Sequence, residues 1–344
     1  MKQIVAVLII LVLACIVPVS GAVPKVEFVK GQDKISVMIG GRLFTSYVYG
    51  SDLPKPVLVP IHSPSGIEVS RRHPLVELKG GSMDHLHHLG LFFAVDRVNG
   101  TNFWNYYRNF GGATPQIKHV KVLEMTGGDG EGKLVTAAHW IDKRGRFLLE
   151  EKRNMVFKAG DRKDEWAIDF SLDLTAQKEK VVFEDIEEGV LAIRVSDYLR
   201  ESDAERGVRP GRAVSGETVS GTGRYFSSNG DEMARDVWGK RARWVALQGV
   251  RGGKVVGIAV LNHPASINYP TYWHVRDYGL FSANPLGQGD FQRQRPRQYR
   301  KNKPIPLRLT LDPGETVHFR FLVIIYEGVK MEGQIEELFR EFVK

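Results

Sequence analysis

Residues 166–174 place Trp166, Ile168, Phe170, Leu172 and Leu174 in strict alternation with Ala167, Asp169, Ser171 and Asp173. Successive side chains of an extended chain point to opposite faces, so the pattern lays one face on an apolar core and the other in water. A helix would scatter the same residues around its surface. The pattern recurs along the chain. Residues 34–49 read as two strands around Gly40-Gly41, a pair that accepts the positive φ angles of a tight hairpin turn. Further strands are predicted over 91–95, 117–125, 148–157, 190–195, 244–248, 255–261 and 317–326. One helix is predicted at the end, where Ile335, Leu338, Phe339 and Phe342 recur at helical spacing among Glu336, Glu337, Arg340 and Glu341. Many short strands joined by Gly-rich turns predict an all-β sandwich with a short C-terminal helix, not a parallel α/β sheet.

A chain of 344 residues could make two domains, but one large sandwich absorbs the length, and no repeat or linker divides it. Hydrophobic residues at 42% and charged residues at 26% are globular values, which exclude a disordered tail, a collagen-like chain and a multi-span membrane protein. A net charge of +8 favours anionic surfaces or substrates without demanding nucleic acid. The sequence has no phosphate-binding loop, no Gly-x-Ser-x-Gly elbow and no His-Glu-x-x-His helix. The 202–236 stretch, rich in Gly, Ser and charge, reads as a loop or lid, and 293–303 as a basic loop.

Residues 1–22 read as a signal peptide. Lys2 supplies the positive end, 4–17 is almost unbroken apolar sequence, and Ser20-Gly21-Ala22 offers small residues for cleavage. The apolar run is shorter than the roughly 20 residues needed to span a bilayer. Val12-Leu13-Ala14 before Cys15 weakly resembles a lipidation motif, but cleavage after Ala22 is the better reading. The expected mature chain, 23–344, is one domain without a stable membrane span, exported to the periplasm or beyond. It has no thiol, which excludes intrachain disulfides, Cys-ligated zinc and thiol catalysis. Export also argues against a nucleic-acid partner.

Three of the ten histidines fall within Asp84-His85-Leu86-His87-His88, followed by Gly90. If this segment is extended, His85 and His87 share a face and offer two imidazoles to one metal, with a third ligand from elsewhere. The same residues, with His88, equally suit proton transfer or hydrogen bonding to sugar hydroxyls, since imidazole titrates near neutral pH. A polar turn is the plainest alternative. A second cluster joins His263 to Trp273, His274, Arg276, Tyr278 and Asn284, a mixture of aromatic faces and polar groups that suits a carbohydrate pocket or an aromatic core corner. Glu184, Asp185, Glu187 and Glu188 form an acidic set. Glu188 precedes a strand and is the candidate general base, with Arg194 as its partner or as an anion reader. Trp238 followed by Lys240 and Arg241 joins an aromatic platform to two cations.

The 62–66 segment, Asp84 to His88, Val98-Asn99-Gly100 with Phe103-Trp104, Glu188-Gly189 with Arg194, Trp238 to Arg241, His263-Pro264, and Thr271 to Gly279 with Asn284-Pro285 together resemble the bacterial family labelled methane oxygenase PmoA. The likeness runs over about 57–286. It departs at Leu86, where that family has proline, and at Leu89, where it has arginine. The label implies a copper or iron oxygenase with His85 and His87 as ligands. The membrane-bound methane oxygenase subunit is multi-helical, whereas this chain alternates like a β-sandwich. The histidine-Gly-aromatic run and the all-β pattern also look like the galactose mutarotase type of supersandwich, which implies sugar binding on an open sheet face and proton transfer by histidine and a carboxylate.

The reading that results is an exported carbohydrate-active protein, an epimerase, lyase or hydrolase without a cofactor. Its catalytic candidates are His85, His87, His88, Glu188 and His274. Its substrate-binding candidates are Arg194, Trp238, Lys240, Arg241, His263, Trp273, Arg276, Tyr278 and Asn284. A metal oxygenase and a non-catalytic sugar-binding module are the alternatives. N-terminal sequencing of the protein from its native host should begin at Val23, and a lipidated Cys15 terminus would overturn the export reading.

Overall fold

The alternating strand, Glu165–Ala176, lies between Thr316–Glu327 and Phe147–Lys158, so that Phe170 faces Phe321 on one side and Met155 on the other. Its even-numbered residues, Trp166 through Leu174, are buried as the pattern required. The computed structural model describes residues 23–77, 81–108, 114–160, 163–201, 219–295 and 303–344. The signal segment with Cys15, residues 202–218 of the suggested lid and residues 296–302 of the basic loop lie outside the described residues.

Two antiparallel sheets make the sandwich. One runs in the order Tyr272–Val275, Leu280–Asn284, Gly189–Arg194, Leu91–Val95, Val57–Ile61, Arg42–Val48, Lys34–Ile39, Lys25–Lys30 and Gly128–Asp129. The other runs Arg224–Ser227, Trp244–Arg251, Lys254–Asn262, Thr316–Glu327, Glu165–Ala176, Phe147–Lys158, Glu131–Ile141 and Gln116–Thr126. Phe93 of the first sheet meets Phe319 at 5.2 Å and Phe170 at 6.3 Å, which identifies the inner face. Each buried aromatic of this kind contributes about 2 to 3 kcal/mol of transfer free energy. The C-terminal helix, Glu332–Phe342, packs Ile335 and Phe339 on the outer face of the second sheet, against Trp244, Leu322 and Ile324. No helix of the described residues is long and apolar enough to cross a membrane.

The predicted strands all form, most with ends one residue longer, and the hairpin turns at Gly40 (φ 55°) and Gly41 (φ 76°). Several strands were not disclosed by alternation, among them three that are largely buried. Tyr272–Val275 and Leu280–Asn284 are buried at every position, so no polar face marks their period. Glu131–Ile141 is buried along most of its length and built partly from small residues, Thr136, Ala137 and Ala138.

Because neighbours across a ladder share a face, pairing of Ala192 with Phe92 and with Ser282 puts Val190, Ala192 and Arg194 on the outer face of the first sheet. Phe92, Ala94, Ser282, Asn284 and His274 accompany them there. Gly90 enters this sheet with φ 55°, donates its N–H to Arg71 O at 3.1 Å and accepts from Arg194 N at 2.9 Å. A Cβ at this position would lie 2.4 Å from Leu58 O and 2.8 Å from Val59 Cβ. Gly90→Ala should therefore cost about 3 kcal/mol of stability in denaturant unfolding, from backbone strain plus steric conflict. Unchanged stability would contradict this packing.

Candidate functional site

Asp84 organises the outer face of the first sheet. Its Oδ1 accepts from Arg194 Nη2 at 2.7 Å and Arg71 Nη1 at 3.1 Å, and its Oδ2 accepts from His85 Nδ1 at 2.6 Å. Arg71 also donates to the carbonyls of Asp84, His85 and His88 at 2.7, 2.7 and 2.8 Å, so one guanidinium clamps the whole histidine segment. Burial works to raise the Asp84 pKa, but Arg194, the His85 hydrogen bond and Arg71 outweigh it and hold the carboxyl well below the usual carboxylate range. The group is an anion at every ordinary pH.

The segment is not extended. It turns, with His88 N–H donating to His85 O at 2.9 Å and His85 at φ 42°. The conditional expectation of His85 and His87 on one face and His88 on the other thus gives way to three imidazoles gathered at one corner. Ring centroids are 4.2 Å apart for His87 and His88, 5.1 Å for His85 and His88, and 5.9 Å for His85 and His87. His85 stacks on Tyr278 at 4.6 Å with the planes 5° apart, and Arg194 lies 4.8 Å over the same tyrosine ring. His88 is buried against Phe92 and Trp104. Burial, then the Lys55 charge, then His85, Arg71 and Arg194 draw His87 down to about 3. Burial also holds His88 well below the ordinary imidazole range, helped first by His87. These two rings are neutral, whereas His85 stands exposed with Nδ1–H held by the Asp84 carboxylate. Among the described residues no group of three or more His, Cys, Asp or Glu is placed to hold a metal ion.

A second cluster gathers around Glu187 and Glu188, which precede Gly189–Arg194. Burial, with Glu187 and Asp96 nearby, raises Glu188 to about 7. Arg276 pairs with both Glu187 carboxylate oxygens at 3.1 and 3.2 Å, donates to His274 Nε2 at 3.0 Å and lies 5.0 Å over Trp238. With Nδ1 donating to Glu187 O at 2.9 Å, both His274 nitrogens are committed, and burial followed by Arg276 draws it to about 3. It orients Arg276 and has no nitrogen left for a proton relay. Asn284 is similarly used up, bonding the carbonyls of Ile186 and Glu187 and accepting Leu286 N–H. A cavity of about 370 Å³ opens beside Trp238, lined also by Arg276, Asp277, Glu201 and Met233. Tyr278 connects the clusters, since Arg194 and Asp84 of one and Arg276 and Glu187 of the other act on its hydroxyl.

The structure therefore brings together His85, His87, His88, Arg194 and Tyr278, and joins them through Tyr278 to Glu188, Arg276, His274, Asn284 and Trp238. Four expected residues stand apart. His263 belongs to the second sheet, between Arg320 and the C-terminal Phe342. Trp273 points inward and is wholly buried, its indole bonded to Ala242 O. Lys240 pairs with Asp231, and Arg241 is spent on the carbonyls of Asn268, Tyr269 and Pro270. Conversely, the roles of Asp84 and Glu187 were within reach, inside motifs already singled out. Arg71 and Lys55 carried no local signal.

A family model described as a family of unknown function (DUF6807) matches residues 34–340. No curated protein matches the chain. Among solved structures, the chain is similar to a galactose mutarotase related enzyme from Lactobacillus acidophilus, at 9% identity and a TM-score of 0.36, over 89% of this chain and 100% of that one. It is also similar to galactose 1-epimerase from Lactobacillus acidophilus NCFM, at 11% identity and a TM-score of 0.34, over 88% and 99%. A third likeness is to a Glycoside Hydrolase Family 97 enzyme variant from Pseudoalteromonas sp. strain K8, at 8% identity and a TM-score of 0.30, over 88% of this chain and 34% of that one. At these identities the likeness is one of fold alone.

The raised Glu188 pKa carries a stability signature. A carboxyl that holds its proton more tightly folded than unfolded makes the folded state lose stability as pH rises from the ordinary 4.5 to about 7. Glu188→Gln removes that loss, so the variant should gain stability relative to the unaltered protein across this window and hold the gain above it. Denaturant midpoints at pH 4.5 and pH 8 check the sign, and equal slopes for the two proteins would show that Glu188 ionises in the ordinary range.

Proposed function

The chain belongs to the DUF6807 family of unknown function, and for it we propose an exported carbohydrate-active enzyme that works by acid–base chemistry on the outer face of the nine-stranded sheet. The observation that carries this reading is the Asp84–His85 pair stacked on Tyr278. The carboxylate fixes the imidazole tautomer with Nδ1 protonated, which leaves Nε2 to take a proton from a substrate oxygen or carbon and return it. Tyr278 and the neutral ring of His87, both half-buried, supply an apolar face and a hydrogen-bonding edge of the kind that a sugar ring requires. Glu188, with a pKa near 7, is suited to a second proton transfer at neutral pH. The reaction is an epimerisation, an elimination or a hydrolysis, and none of these needs a metal under this reading.

A screen of the purified protein against diverse glycans tests the proposal. On a substrate so found, His85→Ala and Glu188→Gln should each lower kcat by about two to four orders of magnitude with sugar binding largely kept. Full activity in either variant would remove that residue from the mechanism, and failure of every glycan to react would leave a binding module as the better reading. Metal analysis provides the separate arm. Stoichiometric copper or iron, lost when His85 and His87 are both replaced by Ala, would favour the oxygenase reading instead.

A further inference from the structure

The charge around the histidine turn is unbalanced. Lys55, Arg71 and Arg194 are 3%, 3% and 0% exposed. Among the described residues they share one carboxylate at ion-pair distance, Asp84, which pairs with both arginines. Among the described residues Lys55 has no carboxylate at ion-pair distance, and its ammonium donates to the carbonyls of Trp104 at 2.6 Å and Tyr106 at 3.1 Å and lies 5.0 Å over the Phe92 ring. Burying cations without counter-charges is costly, and burial accordingly draws Lys55 down to about 7. Hydrogen-bonding capacity is unspent as well. Nε and Nη1 of Arg194, Nε of Arg71 and Nδ1 of His88 are buried with no partner. The three cations act together on His87, a half-buried neutral ring packed against His88. Tyr278 and exposed His85 flank the corner.

We infer that the substrate is an acidic sugar, bearing a carboxylate or a sulfate that seats against His87 where Lys55, Arg71 and Arg194 converge. The inference rests on the carbohydrate reading and specifies its substrate class. An oxyanion there compensates the buried positive charge that Asp84 leaves over and accepts hydrogen bonds from the neutral imidazole, whereas a neutral hydroxyl does only the second. The carboxylates at the start of the same strand, Glu187 and Glu188 with Asp96 beside them, repel the same group. An acidic sugar is thereby oriented along the strand as well as bound.

The test compares matched oligosaccharides by calorimetry on the full mature protein, using a neutral sugar, its uronate counterpart and its sulfated counterpart. At least one acidic member should bind about tenfold or more tighter than the neutral one at low salt, with the advantage shrinking as salt rises. Whichever of the uronate and the sulfate binds tighter identifies the group. Lys55→Met should erase most of the preference and Lys55→Arg should keep it. Should Lys55→Met fail to fold, the comparison of ligands on the unaltered protein decides alone. Equal affinity for neutral and acidic sugars would overturn the inference while leaving the carbohydrate reading intact, and no binding of any of the three would overturn both.

Discussion

The clamp of Asp84 between two buried guanidiniums is the interaction on which the candidate site depends. Arg71 and Arg194 come from separate segments, one beside the isolated bridge at Ser70 and the other from the end of Gly189–Arg194. Both reach the same carboxylate oxygen. Removing that carboxylate leaves Arg194 buried and uncompensated, a loss of the kind that costs about 3 to 5 kcal/mol. It also releases the turn whose carbonyls Arg71 holds, and with it the orientation of His85. Stability and chemistry are thus tied to one group.

The site lies on the outer face of its sheet for a simple reason. The inner face is committed to Phe93, Phe170, Phe319 and their neighbours, and the charged groups that enter it, Glu151 and Arg153, are spent on each other and on the Trp140 indole. On the outer face, the small side chains of Ala94, Ala192 and Ser282 leave room for the histidine turn, Tyr278 and the Trp104 loop to fold over the strands. The groove so formed is polarised along the strand, cationic near Lys55, Arg71 and Arg194 and acidic near Glu188, which is why two kinds of titratable group depart from their ordinary values in opposite directions. His87 and His88 are pushed down by burial beside cations, and Glu188 is pushed up by burial beside carboxylates.

Strands with one wet face were legible because alternation is a local consequence of backbone geometry, as Glu165–Ala176 and Lys34–Ile39 illustrate. Of the strands wet on neither face, Leu91–Val95 and Gly189–Arg194 were legible as short apolar runs, but the pair that follows Pro270 was not. Tyr272–Val275 and Leu280–Asn284 read as an aromatic cluster, and the residues on them were judged by chemical type. That judgement could not separate Trp273, which points into the core, from His274 one position later on the outer face, because the separation is a matter of register. His263 shows the same limit over a longer range. Its neighbours in sequence resemble those of the site, yet its strand, Lys254–Asn262, belongs to the other sheet.

What the sequence determined by itself is the class of fold, the C-terminal helix and the density of imidazoles at 85–88, since each is written in the order of residues a few positions apart. What only the tertiary structure decided is which groups share a corner. Lys55, Arg71, Asp84, Arg194 and Tyr278 are spread over more than 220 positions, and only the ladder that sets Gly189–Arg194 between Leu91–Val95 and Leu280–Asn284 brings the last of them together with the histidine turn. Electrostatics inside a protein depends on distance and burial, and neither is a property of sequence separation.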